Sequence, residues 1–219
     1  MISDGKQLEQ LFQEINHSLT GNVSLYIIGG AALLYQGLKT ATKDIDVIVD
    51  DKDSYDTIVR TLLSLEFKRQ DPTEAYKKME VNTILERHDF RIDLFLQTVC
   101  KKVRLSTAMK NRAIPLLPSE NLQVFLCSNE DIFLFKSMTE REGDLEDCIA
   151  LVQRGIHWDA ILHEIQSQIQ RSGEHVWITW VGERLDLLEV KGLTIPIMKT
   201  INQLRDDYFK NLEKQFSNK

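Results

Sequence analysis

The chain has 219 residues, 42% hydrophobic and 27% charged, with a formal net charge of −6. That apolar fraction excludes a disordered chain, and 10 Gly and 4 Pro exclude a collagen-like polymer. No window approaches the roughly 18 uninterrupted apolar residues of a membrane span, and Met1-Ile2-Ser3-Asp4-Gly5-Lys6 shows no basic-then-apolar leader, so a cytoplasmic protein without a membrane partner is expected.

In chain order, Leu8, Leu11, Phe12, Ile15 and Leu19 recur at helical spacing and predict a helix over Asp4–Leu19. Val23–Ile28 reads as a strand stopped by Gly29-Gly30, and Ala31–Tyr35 as a short helix. Lys43–Val49 is predicted as a second strand, and Ser54–Leu65 as a helix with Ile58, Leu62 and Leu65 in register. From Tyr76 to Val99 the period shifts towards two. Met79–Leu85 and Phe90–Leu96 are predicted as paired strands joined by Arg87-His88-Asp89. Pro115 and Pro118 mark a loop before a short strand at Leu122–Cys127. Beyond Ser128 the pattern becomes helical: Asn129–Gln153 with a break at Gly143, then Trp158–Ile169, Val176–Leu188 and Ile197–Phe216. The expected organisation is a mixed α/β (α+β) domain over residues 1–127 followed by an all-α domain over 128–219.

Charge is unevenly placed. Arg60–Arg112 holds 12 Lys+Arg against 7 Asp+Glu, a local +5 inside an acidic protein. Such a segment suits a polyanion or is simply a solvated surface. Cys100, Cys127 and Cys148 are odd in number and widely spaced, which points to buried free thiols rather than disulfides. The five histidines show no zinc spacing.

Four features in the first half carry chemistry. Gly29-Gly30 between strand and helix lets backbone approach a phosphate, or marks an ordinary turn. Asp44 and Asp46 lie two apart on one strand, so both project from one face while Ile45 and Val47 face the core. Paired carboxylates repel unless a cation intervenes, and oxygen-only ligands suit Mg²⁺ or Mn²⁺. The plain alternative is an edge strand with solvated acids. Asp93 shares a strand face with Arg91 and Phe95, and is either half of an Arg–Asp surface pair or a third carboxylate beside the other two. Thr40-Ala41-Thr42-Lys43 precedes the acidic pair. Lys39 and Lys43 add positive charge there, and Thr42 and Lys43 join Gly29 and Gly30 as candidate nucleotide-binding residues.

The run Ile28-Gly29-Gly30, thirteen intervening residues, Asp44-Ile45-Asp46 and a later Asp93 resembles the DNA polymerase beta-type nucleotidyltransferase superfamily over roughly residues 22–96. The resemblance implies that Asp44, Asp46 and Asp93 form the catalytic, metal-binding set, with Asp93 also positioning or activating an acceptor hydroxyl. It implies Gly29 and Gly30 against the nucleotide phosphates, an NTP as substrate and Mg²⁺ or Mn²⁺ as cofactor. The second half is similar to abortive-infection (AbiE-type) toxin nucleotidyltransferases: Ser128-Asn129-Glu130-Asp131-Ile132, then Lys136, Arg141, Asp144 and Asp147. There Lys136 would reach the triphosphate. Lys136–Glu140 and Asp144–Asp147 are equally readable as helix-surface charges. Those relatives often carry Arg just before the Thr preceding the acidic pair; here only Lys39 and Lys43 are basic. The expected function is transfer of a nucleoside monophosphate from an NTP to an acceptor hydroxyl. The acceptor would be an RNA such as tRNA, a protein or a small molecule, and the protein a toxin with an antitoxin partner. A non-catalytic nucleotide-binding or partner-binding module on the same fold is the alternative. Asp-x-Asp also binds metal–nucleotide-sugar in glycosyltransferases, a reading that leaves Gly29-Gly30 and Asp93 without a role.

Overall fold

Helix α1 (Gly5–Ser18) starts where Asp4 accepts a hydrogen bond from the Lys6 amide at 3.0 Å. Leu8, Leu11, Phe12 and Ile15 then bury one side of it. The β-branched and aromatic segments β1 (Val23–Ile27) and β2 (Ile45–Val49) pair antiparallel, with α2 (Gly30–Tyr35) between them in sequence. Asp51 caps α3 (Lys52–Ser64) by accepting from the Ser54 amide at 2.8 Å, and Ile58, Val59 and Leu62 are buried. Both α1 and α3 pack on the central strands and on each other. The computed structural model describes residues 1–219 apart from 73–80, 101, 118, 173–174 and 218–219, and of Ser172 only its backbone.

The strands that follow are β3 (Lys68–Gln70), β4 (Thr83–Arg87), β5 (Phe90–Leu96), the small pair β6 (Thr98–Val99) and β7 (Val103–Arg104), then α4 (Thr107–Arg112), β8 (Ile114–Leu117) and β9 (Leu122–Leu126). Among the described residues they complete a seven-stranded mixed sheet in the order β3-β4-β5-β2-β1-β9-β8. The pairs β2–β5 and β1–β9 are parallel; the rest are antiparallel. Every residue of β2 is buried, as a central strand requires. Arg87 ties the sheet edge to α1. Its guanidinium donates to both Glu14 oxygens at 2.7 and 2.6 Å and to the Leu65 carbonyl at 2.9 Å, over the Phe67 ring.

The chain divides into two compact units, Met1–Ser128 and Asn129–Lys219. The second contains α5 (Asn129–Lys136), α6 (Glu142–Arg154), α7 (Trp158–Ser172), α8 (Trp177–Val190) and α9 (Met198–Ser217). Gly155, at φ 95°, ends α6 in the left-handed conformation. Trp177, Ile178, Val181, Leu185 and Leu188 bury one side of α8, against which α9 packs. Among the described residues, no helix is long and apolar enough to cross a membrane. The three cysteines are buried, and burial pushes the Cys148 thiol up to about 12, away from thiolate reactivity.

Several boundaries differ from the sequence expectation. β2 begins at Ile45, so Asp44 stands just before the strand. Arg87 belongs to β4, leaving His88-Asp89 as a two-residue turn in which His88 takes φ 51°. Residues 79–80 of the predicted Met79–Leu85 strand, and Pro118, lie outside the described residues. Pro115 sits inside β8 rather than in a loop. β8 is an edge strand, where a missing N–H is tolerated, and the register slips just after it. The helical break falls at Ser137–Arg141, not at Gly143, which lies in the first turn of α6.

Candidate active site

The register of β2 and β5 builds the site. Asp46 pairs with Asp93, Ile45 with Ile92 and Val47 with Leu94. Residues that face each other across two strands project from the same face, so the Asp46 and Asp93 carboxylates stand side by side. Asp46 is 5% exposed and Asp93 0%. The alternate residues Ile45, Val47, Ile92 and Leu94 are buried on the other face. Asp44 is half-buried just before the start of β2, and its carbonyl accepts from Thr42 Oγ1 at 3.0 Å.

The glycine pair sits against these groups. The Ile28 amide donates to the Asp46 carbonyl at 3.0 Å, which carries the β1–α2 turn across the start of β2. A methyl group added at Gly29 would lie 1.8 Å from Asp46 Oδ2. One added at Gly30 would lie 2.6 Å from Thr42 Oγ1 and 3.9 Å from Lys39 Nζ. Both positions therefore require glycine for close approach rather than for a left-handed turn. The segment carrying Thr42 is pinned by a two-way backbone bridge: Ile2 N to Thr42 O at 2.9 Å and Thr42 N to Ile2 O at 2.8 Å. Lys43 next to it is exposed. Gly29, Gly30, Thr42, Asp44, Asp46 and Asp93 thus share one end of one sheet region.

Arg91 is the group whose position the sequence left open. It lies two residues before Asp93 on the same strand face and grips it with two parallel hydrogen bonds: Nε to Oδ1 at 2.8 Å and Nη2 to Oδ2 at 3.0 Å. The pair is part-buried, with Asp93 fully enclosed and the Arg91 side chain 20% exposed. Two carboxylates facing each other inside a protein need a cation, and the guanidinium supplies one. Among the described residues no three His, Cys, Asp or Glu side chains converge closely enough to hold a metal ion. The donor chemistry of Asp44 and Asp46, hard carboxylate oxygens beside a glycine cradle, suits a divalent cation of the magnesium type.

Lys136, the remaining candidate, lies in the second unit. Its ammonium sits 2.8 Å from Asp144 Oδ1 and 2.7 Å from Asp147 Oδ2, with all three side chains at least nine-tenths buried. Arg141 adds a fork onto Asp144, Nε to Oδ2 at 2.7 Å and Nη2 to Oδ1 at 3.1 Å. Thr139 Oγ1 also donates to Asp144, and Arg184 donates to the Thr139 carbonyl. Burial by itself would lower the Lys136 pKa, but attraction to Asp144 and Asp147 outweighs it and holds it above the ordinary value. Burial likewise opposes ionisation of Asp144, yet Lys136 and Arg141 hold its carboxyl well below the usual carboxylate range. These are core charges, not helix-surface charges. The sequence signal for Arg184 is its helical spacing with the apolar residues Trp177, Val181 and Leu188, which puts a charge on the buried side of the helix.

A family model described as nucleotidyltransferase of unknown function (DUF6036) matches residues 6–175. No curated protein matches the chain. Solved structures are similar to it. The solution structure of the antibiotic-resistance factor ANT(2″)-Ia superposes with a TM-score of 0.50 at 13% identity, covering 78% of this chain and 95% of that one. The crystal structure of ANT(2″)-Ia in complex with adenylyl-2″-tobramycin gives a TM-score of 0.49 at 11% identity, covering 76% and 97%.

Proposed function

This chain belongs to the DUF6036 nucleotidyltransferase family, and we propose that it moves a nucleoside monophosphate from an NTP to an acceptor hydroxyl, releasing pyrophosphate. The observation that carries the reading is the Asp46–Asp93 pairing across β2 and β5, closed on one side by Gly29. Asp44 and Asp46 would hold a divalent cation, Mg²⁺ or Mn²⁺, which would supply charge neutralisation for the triphosphate and for the attacking hydroxyl. The backbone at Gly29 and Gly30 lies along the phosphates, because no side chain there keeps them away. Thr42 and Lys39 border Gly30, and Lys43 offers an exposed cation beside them. Asp93 orients the acceptor hydroxyl and takes its proton. Catalysis of this kind is positioning plus charge neutralisation, with little covalent work for the protein.

The acceptor in this reading is an RNA such as a tRNA, with the +5 segment Arg60–Arg112 as its footprint. The protein acts as a toxin restrained by an antitoxin, and Lys136, held between Asp144 and Asp147, keeps a structural role. A protein or a small molecule as acceptor, or a non-catalytic nucleotide-binding module, are the competing outcomes. One experiment separates them. Each α-labelled NTP is incubated with the protein, Mg²⁺ and total RNA, total protein or a small-molecule extract. Label in a discrete RNA band supports the RNA acceptor, and label in protein or small molecules moves the assignment there. Tight Mg²⁺–NTP binding by calorimetry with no labelled product on any acceptor establishes the non-catalytic module instead.

A further inference from the structure

Asp44 and Asp46 are held in different ways. Asp46 lies inside β2, where its register with β5 and the hydrogen bond from the Ile28 amide fix it. Asp44 precedes the strand, and its carbonyl is held by Thr42 Oγ1 at 3.0 Å. Thr42 is buried, and both of its backbone groups pair with Ile2 in an isolated antiparallel bridge. Within residues 1–4 Ile2 alone is buried; Met1, Ser3 and Asp4 are exposed. A buried isoleucine in an exposed stretch, bridged to the segment before β2, straps that segment down. Resting on the reading of Asp44 and Asp46 as the ligands of a divalent cation, we infer that Ile2 is a positioning residue for that cation, acting through Thr42 on Asp44.

The bridge consists of two hydrogen bonds, each modest in net worth against competing water. Burial of the Ile2 side chain keeps them closed, because opening the bridge would return that apolar surface to solvent. The strap also seats Thr42 against Gly30, where an added methyl would lie 2.6 Å from Thr42 Oγ1. It therefore sets the spacing between the glycine pair and Asp44. The start of the same connection is anchored separately, by Leu38 N on the Leu33 carbonyl at 2.8 Å. Loss of the strap thus loosens the end that carries Asp44 and leaves α2 in place. Support of this kind behind a metal ligand governs how tightly the ion is held.

The test is Mn²⁺ titration followed by electron paramagnetic resonance on the full chain, with and without a non-hydrolysable NTP analogue. Ile2→Ala is expected to weaken Mn²⁺ binding by about tenfold, the scale on which loss of a ligand's support acts. Ile2→Val, which keeps a branched apolar side chain, should stay near wild type. Leu19→Ala removes a buried side chain of the same size at the far end of α1. It reports general destabilisation in thermal unfolding and should bind Mn²⁺ as wild type does. Thr42→Val keeps the backbone bridge and removes the hydroxyl, so it should reproduce the loss. Adding Ile2→Ala to Thr42→Val should then weaken binding no further, because the two act in one chain of contacts. An Ile2→Ala protein that binds Mn²⁺ as tightly as Leu19→Ala would overturn the inference and leave the nucleotidyltransfer reading standing. Losses that simply add in the double variant would do the same. A wild-type protein that binds no Mn²⁺ under either condition would overturn both.

Discussion

Gly29→Ala is expected to lower nucleotidyl transfer by about a hundredfold, the cost of displacing a reacting group by roughly an ångström. The added methyl would meet Asp46 Oδ2 at 1.8 Å, its Cγ at 2.7 Å and its Cβ at 3.0 Å. Asp46 cannot yield as a lysine tip would. Its side chain is short and buried, and Asp93 stands beside it. Either the carboxylate rotates out of line or the β1–α2 turn moves, and both misplace the groups that meet the nucleotide. Gly21→Ala is the control, since nothing lies within 4 Å of a methyl there, and it should leave the rate unchanged. Initial rates of label transfer by the two variants, alongside thermal unfolding, check the expectation. A Gly29→Ala protein within about threefold of wild type would mean that Asp46 does not need its observed position.

Lys136→Met should destabilise the second unit by about 3–5 kcal/mol, because it leaves Asp144 and Asp147 buried without the ammonium between them. All three tryptophans, Trp158, Trp177 and Trp180, lie in that unit, so tryptophan fluorescence during urea unfolding of the full chain reports on it directly. The same cluster sets a pH dependence. Asp144 has its folded-state pKa held down, so its contribution is present above the unfolded carboxylate value of about 3.9 and fades as pH falls through the lower folded value. Lys136 has its pKa held up, so its contribution is present below about 10.4 and is lost as pH rises through the folded value. Wild type should therefore lose stability on acidification below about pH 4, and Lys136→Met should show a shallower slope there. A loss under about 1 kcal/mol on mutation would place these charges in water.

The pattern of the candidate site was readable because strand alternation fixes side-chain direction. Ile45 and Val47 had to face a core, so Asp46 had to face the other way, and Asp93 among Ile92, Leu94 and Leu96 carried the same information. The fork from Arg91 was harder to read. An arginine two residues from an aspartate on one strand face fits a solvated pair or a buried one equally, and the choice depends on what the neighbouring strands cover. Edge elements escaped for a different reason. Lys68-Arg69-Gln70 of β3 is wholly exposed and has no apolar alternation to signal a strand, and Pro115 argued against β8, where only an edge position admits it. Propensity puts the break between α5 and α6 at Gly143. Tertiary contacts put it earlier, where Thr139 and Arg141 reach Asp144 and Arg184 reaches the Thr139 carbonyl. Glycine in the first turn of α6 then costs little.

The most direct measurement is metal-dependent incorporation of label from an α-labelled NTP by wild type and by Asp44→Asn, Asp46→Asn and Asp93→Asn, each checked for native unfolding behaviour. Wild-type incorporation that requires Mg²⁺ or Mn²⁺ and falls by at least about a thousandfold in each variant is the expected result. Incorporation that persists in Asp44→Asn and Asp46→Asn at the wild-type rate would contradict the assignment of these carboxylates and of the site built around them.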